Sequence, residues 1–184
     1  MVTVRNLKCK VCLVGEAAVG KTSLIRRYVL DDFDDKYITT LGAKVSKKDM
    51  SFDYPDKDTR VDMDMTIWDI MGEKGFRDLL QDAYFQGAKG VLAVCDITRI
   101  STVKELDDWV KSVYNVSGEI PIIYAVNKVD LRDEALLLFD EADLMQWTRA
   151  FGASYLYTSA KTGENVERAF RTLGEQIIAR SSIL

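Results

Sequence analysis

The chain has 184 residues, 47% of them hydrophobic and 29% charged, enough to bury roughly 70% of its unfolded surface and fold without a disulfide or structural metal. Its 25 basic and 29 acidic residues leave a net charge of −4, and no long Lys/Arg run is present, which excludes a nucleic-acid groove as its main purpose. Histidine is absent, so every mechanism that needs an imidazole base is excluded as well.

The first predicted strand, Leu7 to Val14, carries Cys9 and Cys12. Their C-x-x-C spacing suits zinc or redox chemistry, but the pair sits in an apolar run with no second ligand pair, and core thiols are the expectation. The strand leads straight into Gly15–Thr22, "GEAAVGKT", which fits G-x-x-x-x-G-K-[ST] between a strand and a helix predicted over Lys21 to Val29. Gly15 and Gly20 allow a tight turn, Ala17, Ala18 and Val19 lie between them, and consecutive N–H groups through to Ser23 can face phosphate oxygens. Lys21 would reach the β- and γ-phosphates, and the Thr22 hydroxyl would ligate Mg²⁺.

Two strands are predicted next, Ala43 to Phe52 and Val61 to Trp68, joined as an antiparallel hairpin by the turn-rich "DYPDKDT". Charges at Lys47, Lys48, Asp49, Asp62 and Asp64 suit a solvated edge. "WDIMGE" follows, an Asp-x-x-Gly turn at Asp69 to Gly72 with a carboxylate, Glu73, just beyond it. A helix over Phe76 to Gln86 and a strand over Gly90 to Asp96 come after it. Thr102 and Glu105 have capping-box spacing before a helix over Val103 to Val116, whose Val103, Leu106, Val110 and Val113 share a face.

The fifth strand, Pro121 to Val126, runs into "NKVD", Asn127 to Asp130. Both oxygens of the Asp130 carboxylate match the adjacent N1–H and N2–H donors of guanine, while adenine would leave them unpaired. A helix over Glu141 to Phe151, capped by Asp140 and closed by Gly152, precedes a strand over Ser154 to Tyr157. That strand meets "TSAK", Thr158 to Lys161, where the Ala160 N–H could donate to the guanine O6, braced by Ser159 and Lys161. The last helix, Val166 to Ala179, carries Val166, Phe170, Leu173 and Ile177 on its core face. Alternating strands and helices with no linker or repeat point to one α/β domain over 1–184 with a mainly parallel sheet.

Taken together, GEAAVGKT, Thr40 in "YITTLG", WDIMGE, NKVD and TSAK stand in the order and spacing of the Ras-like small GTPases. "AYFQGAKGVLAVCDIT" and "NVERAF" make the chain most similar to the Rab branch. The resemblance implies a P-loop G domain: a six-stranded, mainly parallel sheet with one antiparallel hairpin strand and about five helices on both faces. It implies binding of GTP and GDP with Mg²⁺ and a change of shape between the two states. Phe33 then resembles the aromatic stacked on guanine, and Tyr37 the lid over the phosphates. Thr40 resembles the residue that gives its hydroxyl to Mg²⁺ and its N–H to the γ-phosphate. Asp69 would hold Mg²⁺ through water, Gly72 would offer its N–H to the γ-phosphate, and Asn127, Lys128 and Asp130 would form the base site.

The implied catalytic set is Lys21, Thr40, Gly72 and Glu73, with slow intrinsic hydrolysis. Glu73 departs from the usual glutamine: an ionised carboxylate accepts a proton well but cannot donate to a phosphate. It can position water, suppress hydrolysis, or stay solvated outside the site. Met71 replaces the family's alanine, and Lys44 and Val45 replace an acid and a phenylalanine. The resemblance implies a monomer whose residues 36–48 and 70–86 recruit effectors, an activating protein and an exchange factor. It implies a cytoplasmic protein, peripheral on a membrane if anchored, although "RSSIL" lacks a prenylation cysteine. The rival readings are a GTP-binding adaptor or scaffold with little or no hydrolysis, and an ATPase or kinase, which Asp130 argues against.

Overall fold

The computed structural model describes residues 2–36, 39–73, 75, 82–133, 146, 149 and 153–184. Among these, six strands form one sheet: β1 (Thr3–Val14), β2 (Ala43–Tyr54), β3 (Thr59–Ile70), β4 (Ala88–Asp96), β5 (Ile122–Asn127) and β6 (Ser154–Tyr157). Their order is β2-β3-β1-β4-β5-β6, with β2 and β3 antiparallel and every other pair parallel. Four α-helices lie wholly within the described residues: α1 (Lys21–Leu30), α2 (Ile100–Lys104), α3 (Leu106–Ser117) and α4 (Val166–Arg180). This is the expected six-stranded, mainly parallel sheet, with the antiparallel hairpin at the sheet edge.

Alternation along β1 builds both faces of the core. Cys9, Val11 and Leu13 pack with α1 and α4, through Leu24, Ile25, Phe170, Leu173 and Ile177. Cys12 and Val14 turn the other way, towards Trp109, Val110 and Val113 of α3. A two-residue side-chain period therefore puts Cys9 and Cys12 on opposite faces, where one metal or disulfide could not join them. All three cysteines are free and buried, and burial raises each thiol to about 12, so they are inert core residues. Across the first face, Tyr28 of α1 stacks on Phe170 of α4 at 4.1 Å.

Three expectations need correction. β1 begins at Thr3 rather than Leu7, because Thr3–Asn6 pair with Thr59–Asp62 through backbone alone while their side chains stay exposed. The helix predicted over Val103 to Val116 is two helices, α2 and α3, that meet at Glu105. Thr102 does not cap: its hydroxyl accepts from the Asp96 N–H (2.9 Å) and donates to the Arg99 carbonyl (2.7 Å), which ties α2 to the end of β4. The periodic stripe survives the break, since Val103, Leu106, Val110 and Val113 are all buried. The predicted helix over Glu141 to Phe151, with Asp140 and Gly152, lies outside the described residues apart from 146 and 149. Of the helix over Phe76 to Gln86, residues 82–85 are helical and most of the rest lies outside the described residues.

Candidate functional site

A cleft of about 860 Å³ opens at the C-terminal ends of the strands, where α/β sheets place their ligands. Its lining includes Ala17, Ala18, Gly20, Lys21, Thr22 and Ser23 from the first loop, Phe33, Thr40, Met71, Gly72 and Glu73 from the middle of the chain, and Asn127, Lys128, Asp130, Ala160 and Lys161 from its second half. Tyr37 lies outside the described residues.

At one end, the loop after β1 curls through left-handed conformations at Ala18 (φ 61°) and Gly20 (φ 100°), with Gly15 at φ 136°. Such turns gather successive N–H groups into an anion-binding concavity. Close packing selects glycine here: a Cβ on Gly15 would stand 2.1 Å from the Val94 carbonyl oxygen, and one on Gly20 would stand 2.3 Å from Asn127 Nδ2. Lys21 Nζ donates to the Gly15 and Glu16 carbonyls at 2.7 and 2.8 Å. Burial lowers its ammonium to about 8, and a phosphate arriving beside it would favour the charged form further.

Next to this loop three oxygens converge. Thr22 Oγ1 donates to Asp69 Oδ2 at 2.5 Å and lies 3.0 Å from Thr40 Oγ1. Among the described residues Asp69 Oδ1 is buried with no hydrogen-bond partner, and burial pushes the carboxyl above its usual range against the pull of Thr22 and Lys21. Two hydroxyls and a carboxylate are hard donors of the kind Mg²⁺ takes, and a cation would satisfy the orphaned oxygen. The residues fit the metal. Gly72 closes this end, since a Cβ there would meet Ala17 N and Glu16 C at 2.5 Å each. Met71 is buried, while Glu73 is exposed at the cleft rim.

At the other end, Asp130 Oδ1 accepts from the buried Ser159 hydroxyl at 2.5 Å, which fixes the carboxylate by a charge-assisted bond. The Ala160 N–H, expected to donate to a base, reaches Asn127 Oδ1 at 3.3 Å. Asn127 itself is buried; its Nδ2 donates to the Val19 carbonyl at 2.9 Å, and its Oδ1 also accepts from Thr158 Oγ1 at 3.2 Å. One amide thus ties three loops together. Lys128 places its ammonium 2.7 Å from Asp96 Oδ2.

Some supporting residues carried no motif. Arg27 of α1 donates to the Ala160 and Lys161 carbonyls at 2.9 and 2.8 Å and holds the TSAK loop from behind. Trp109 Nε1 donates to the Glu16 carboxylate at 3.4 Å. Asp96, only 1% exposed, collects Lys128, Thr98 and Arg99, and although burial opposes its charge the bonds from Lys128 and Thr98 hold the carboxyl below its usual range. An acid ending an apolar strand was the available signal, as at Asp69.

A group with a lowered folded pKa contributes stability above its unfolded value, and that contribution is lost as pH falls through the folded value. Asp96→Asn should therefore cost about 2 kcal/mol at pH 7, from its charge-assisted bonds. Urea unfolding of both proteins between pH 7 and 3 should show the gap closing below about pH 4; a gap independent of pH would refute the role given to the charge.

Comparison with known proteins agrees with this geometry. A family model described as Ras family matches residues 10–179. The chain is 34% identical over 180 residues to Ras-related protein Rab-21 of Bos taurus, covering 97% of this chain and 77% of the relative. It is 34% identical over 180 residues to the Homo sapiens protein of the same name, covering 97% and 76%. Ras-related protein Rab-13 of Mesocricetus auratus is 31% identical over 173 residues, covering 94% and 81%.

Proposed function

Because this chain belongs to the Ras family and is a Rab-like GTP-binding switch and GTPase, we propose that the cleft holds GTP and GDP with the phosphates on Gly15–Ser23 and the guanine against Asp130. The observation that carries this reading is the convergence in one cleft of a phosphate-type loop at one end and an oriented carboxylate at the other. We read residues 1–184 as one G domain.

Family members generally use Mg²⁺ with the nucleotide. Here Thr22, Thr40 and Asp69 would hold it, and when bound it neutralises phosphate charge. Lys21 would bring its ammonium to the β- and γ-phosphates. Thr40 and Gly72 would give backbone N–H groups to the γ-phosphate, contacts that exist only with GTP, so losing one phosphate would release both segments. Phe33 lines the cleft and would stack on the base. The Asp130 carboxylate would take the two guanine donors, with the Ala160 N–H beside the base and Asn127, Lys128, Ser159 and Lys161 fixing the loops that present them.

Rab family proteins in general bind effectors, activating proteins and exchange factors. In this chain Leu41 is 85% and Val45 46% exposed, and these side chains beside Lys44 would give the GTP-state surface its own partners. Family membership favours the switch over the adaptor reading, and Asp130 continues to argue against ATP. Among the described residues no helix is long and apolar enough to cross a membrane.

Glu73 would position the attacking water from the cleft rim, accepting its proton as the γ-phosphate leaves. Single-turnover phosphate release should then be slower by at least about tenfold in Glu73→Ala and should differ again in Glu73→Gln. Equal rates in all three proteins would remove Glu73 from the chemistry.

A further inference from the structure

We propose that Arg99 is a positioning residue that aims the Ala18 N–H at the phosphates beyond the α-phosphate of the bound nucleotide, an inference that rests on reading Gly15–Ser23 as the phosphate loop. Arg99 occupies the N-cap position of α2, where its side chain makes no capping bond, and carries none of the motifs. Its guanidinium nevertheless spans two structures: Nε lies 3.1 Å from Asp96 Oδ2, and a terminal nitrogen donates to the Ala17 carbonyl at 2.9 Å. Asp96 is held in turn by Lys128 at 2.7 Å, so the fork is anchored before it touches the loop, as its planar geometry allows.

A trans peptide is planar, and its C=O and the following N–H point in opposite directions. Whatever holds the Ala17 carbonyl therefore sets the direction of the Ala18 N–H. Arg99 is not among the residues that line the cleft, whereas Ala17 and Ala18 are. Drawing that carbonyl away from the cleft turns the next N–H into it. A second peptide plane of the loop is fixed by a distant side chain as well, where Asn127 Nδ2 donates to the Val19 carbonyl at 2.9 Å. Ala18 needs such a hold, because it sits at φ 61°, a region unfavourable for any residue with a Cβ.

The position along the loop names the phosphate. Gly20 abuts Asn127, which precedes the base-side Asp130, while Ala17 abuts Gly72 at the opposite end. The phosphate chain would run from the first to the second, and Ala18 would meet the phosphates beyond the α-phosphate. Loss of the Arg99 bond should thus weaken a diphosphate and spare a monophosphate.

The test measures GDP and GMP dissociation constants, by competition against a fluorescent GDP, for the wild type, Arg99→Met and Arg99→Lys. The side chain is 41% exposed, and a ¹⁵N-labelled sample checks folding while reporting the Ala18 amide shift directly. Expected in Arg99→Met is about tenfold weaker GDP binding with GMP changed less than about twofold, and an Ala18 amide that no longer moves on adding GDP. Arg99→Lys, which keeps a donor, should stay closer to the wild type. Equal loss for GDP and GMP, an unchanged ratio, or identical behaviour of the Met and Lys variants overturns the proposal. A wild type that itself fails to prefer GDP over GMP would instead refute the phosphate-loop reading.

Discussion

Replacing Asp130 by asparagine should weaken GTP by at least about a hundredfold, ~2.7 kcal/mol, and raise affinity for xanthosine triphosphate. The carboxylate is acceptor-only and would receive both guanine donors; an amide turns one acceptor into a donor facing guanine N–H groups. Xanthine has an oxygen at C2 and can accept from that amide. Ser159 decides which way the amide points: its hydroxyl donates to Asp130 Oδ1 at 2.5 Å, so the asparagine oxygen would keep that bond and the NH₂ would face the base. Competition of the two triphosphates against a fluorescent GDP measures the change. An Asp130→Asn protein that keeps the nucleotide preference of the wild type would take Asp130 out of base recognition.

A comparable effect of a different kind is expected at Gly72. Its backbone lies so close to the loop after β1 that a Cβ would sit 2.5 Å from Ala17 N, 2.5 Å from Glu16 C and 2.7 Å from Glu16 O. All three atoms are backbone, and none can swing aside as a flexible side chain would. Gly72→Ala must push the two loops apart, at a cost of about 1–3 kcal/mol. GDP binding, which needs no contact from Gly72, should survive. The difference between the GDP state and the state with a non-hydrolysable GTP analogue should vanish, because the N–H proposed to sense the third phosphate would be displaced. Limited proteolysis across residues 70–86 reads this out: the wild type should be protected by the GTP analogue, and Gly72→Ala should be cut alike in both states. Retained protection in the variant would show that Gly72 does not sense the γ-phosphate.

Much of the architecture could be read from residue order. Apolar runs of strand length between amphipathic stripes predict the six strands and most of the described helices, because both periods are local properties of the chain. Edges are less legible. Thr3–Asn6 have no apolar face, and only backbone pairing with β3 makes them strand. Thr102 has the spacing of a cap, yet its hydroxyl is engaged by Asp96 and Arg99, partners that spacing cannot reveal.

The residues proposed for the site were equally visible in the sequence, since the loop read as phosphate-binding and the carboxylate read as base-selecting each lie in contiguous residues. Their supports were not. Arg27 reaches Ala160 and Lys161, and Asn127 reaches Val19, across more than a hundred residues of chain.

By itself, the sequence determined which atoms are available: Lys21, Thr22, Thr40, Asp69, Asp130 and a Glu73 in place of glutamine. Tertiary structure alone decided how those atoms are aimed. A peptide N–H points opposite to the carbonyl of its own plane, and the groups that hold the Ala17 and Val19 carbonyls, Arg99 and Asn127, come from other strands and loops. Local sequence sets the turn, but a peptide plane in a loop keeps one orientation only when something distant binds it.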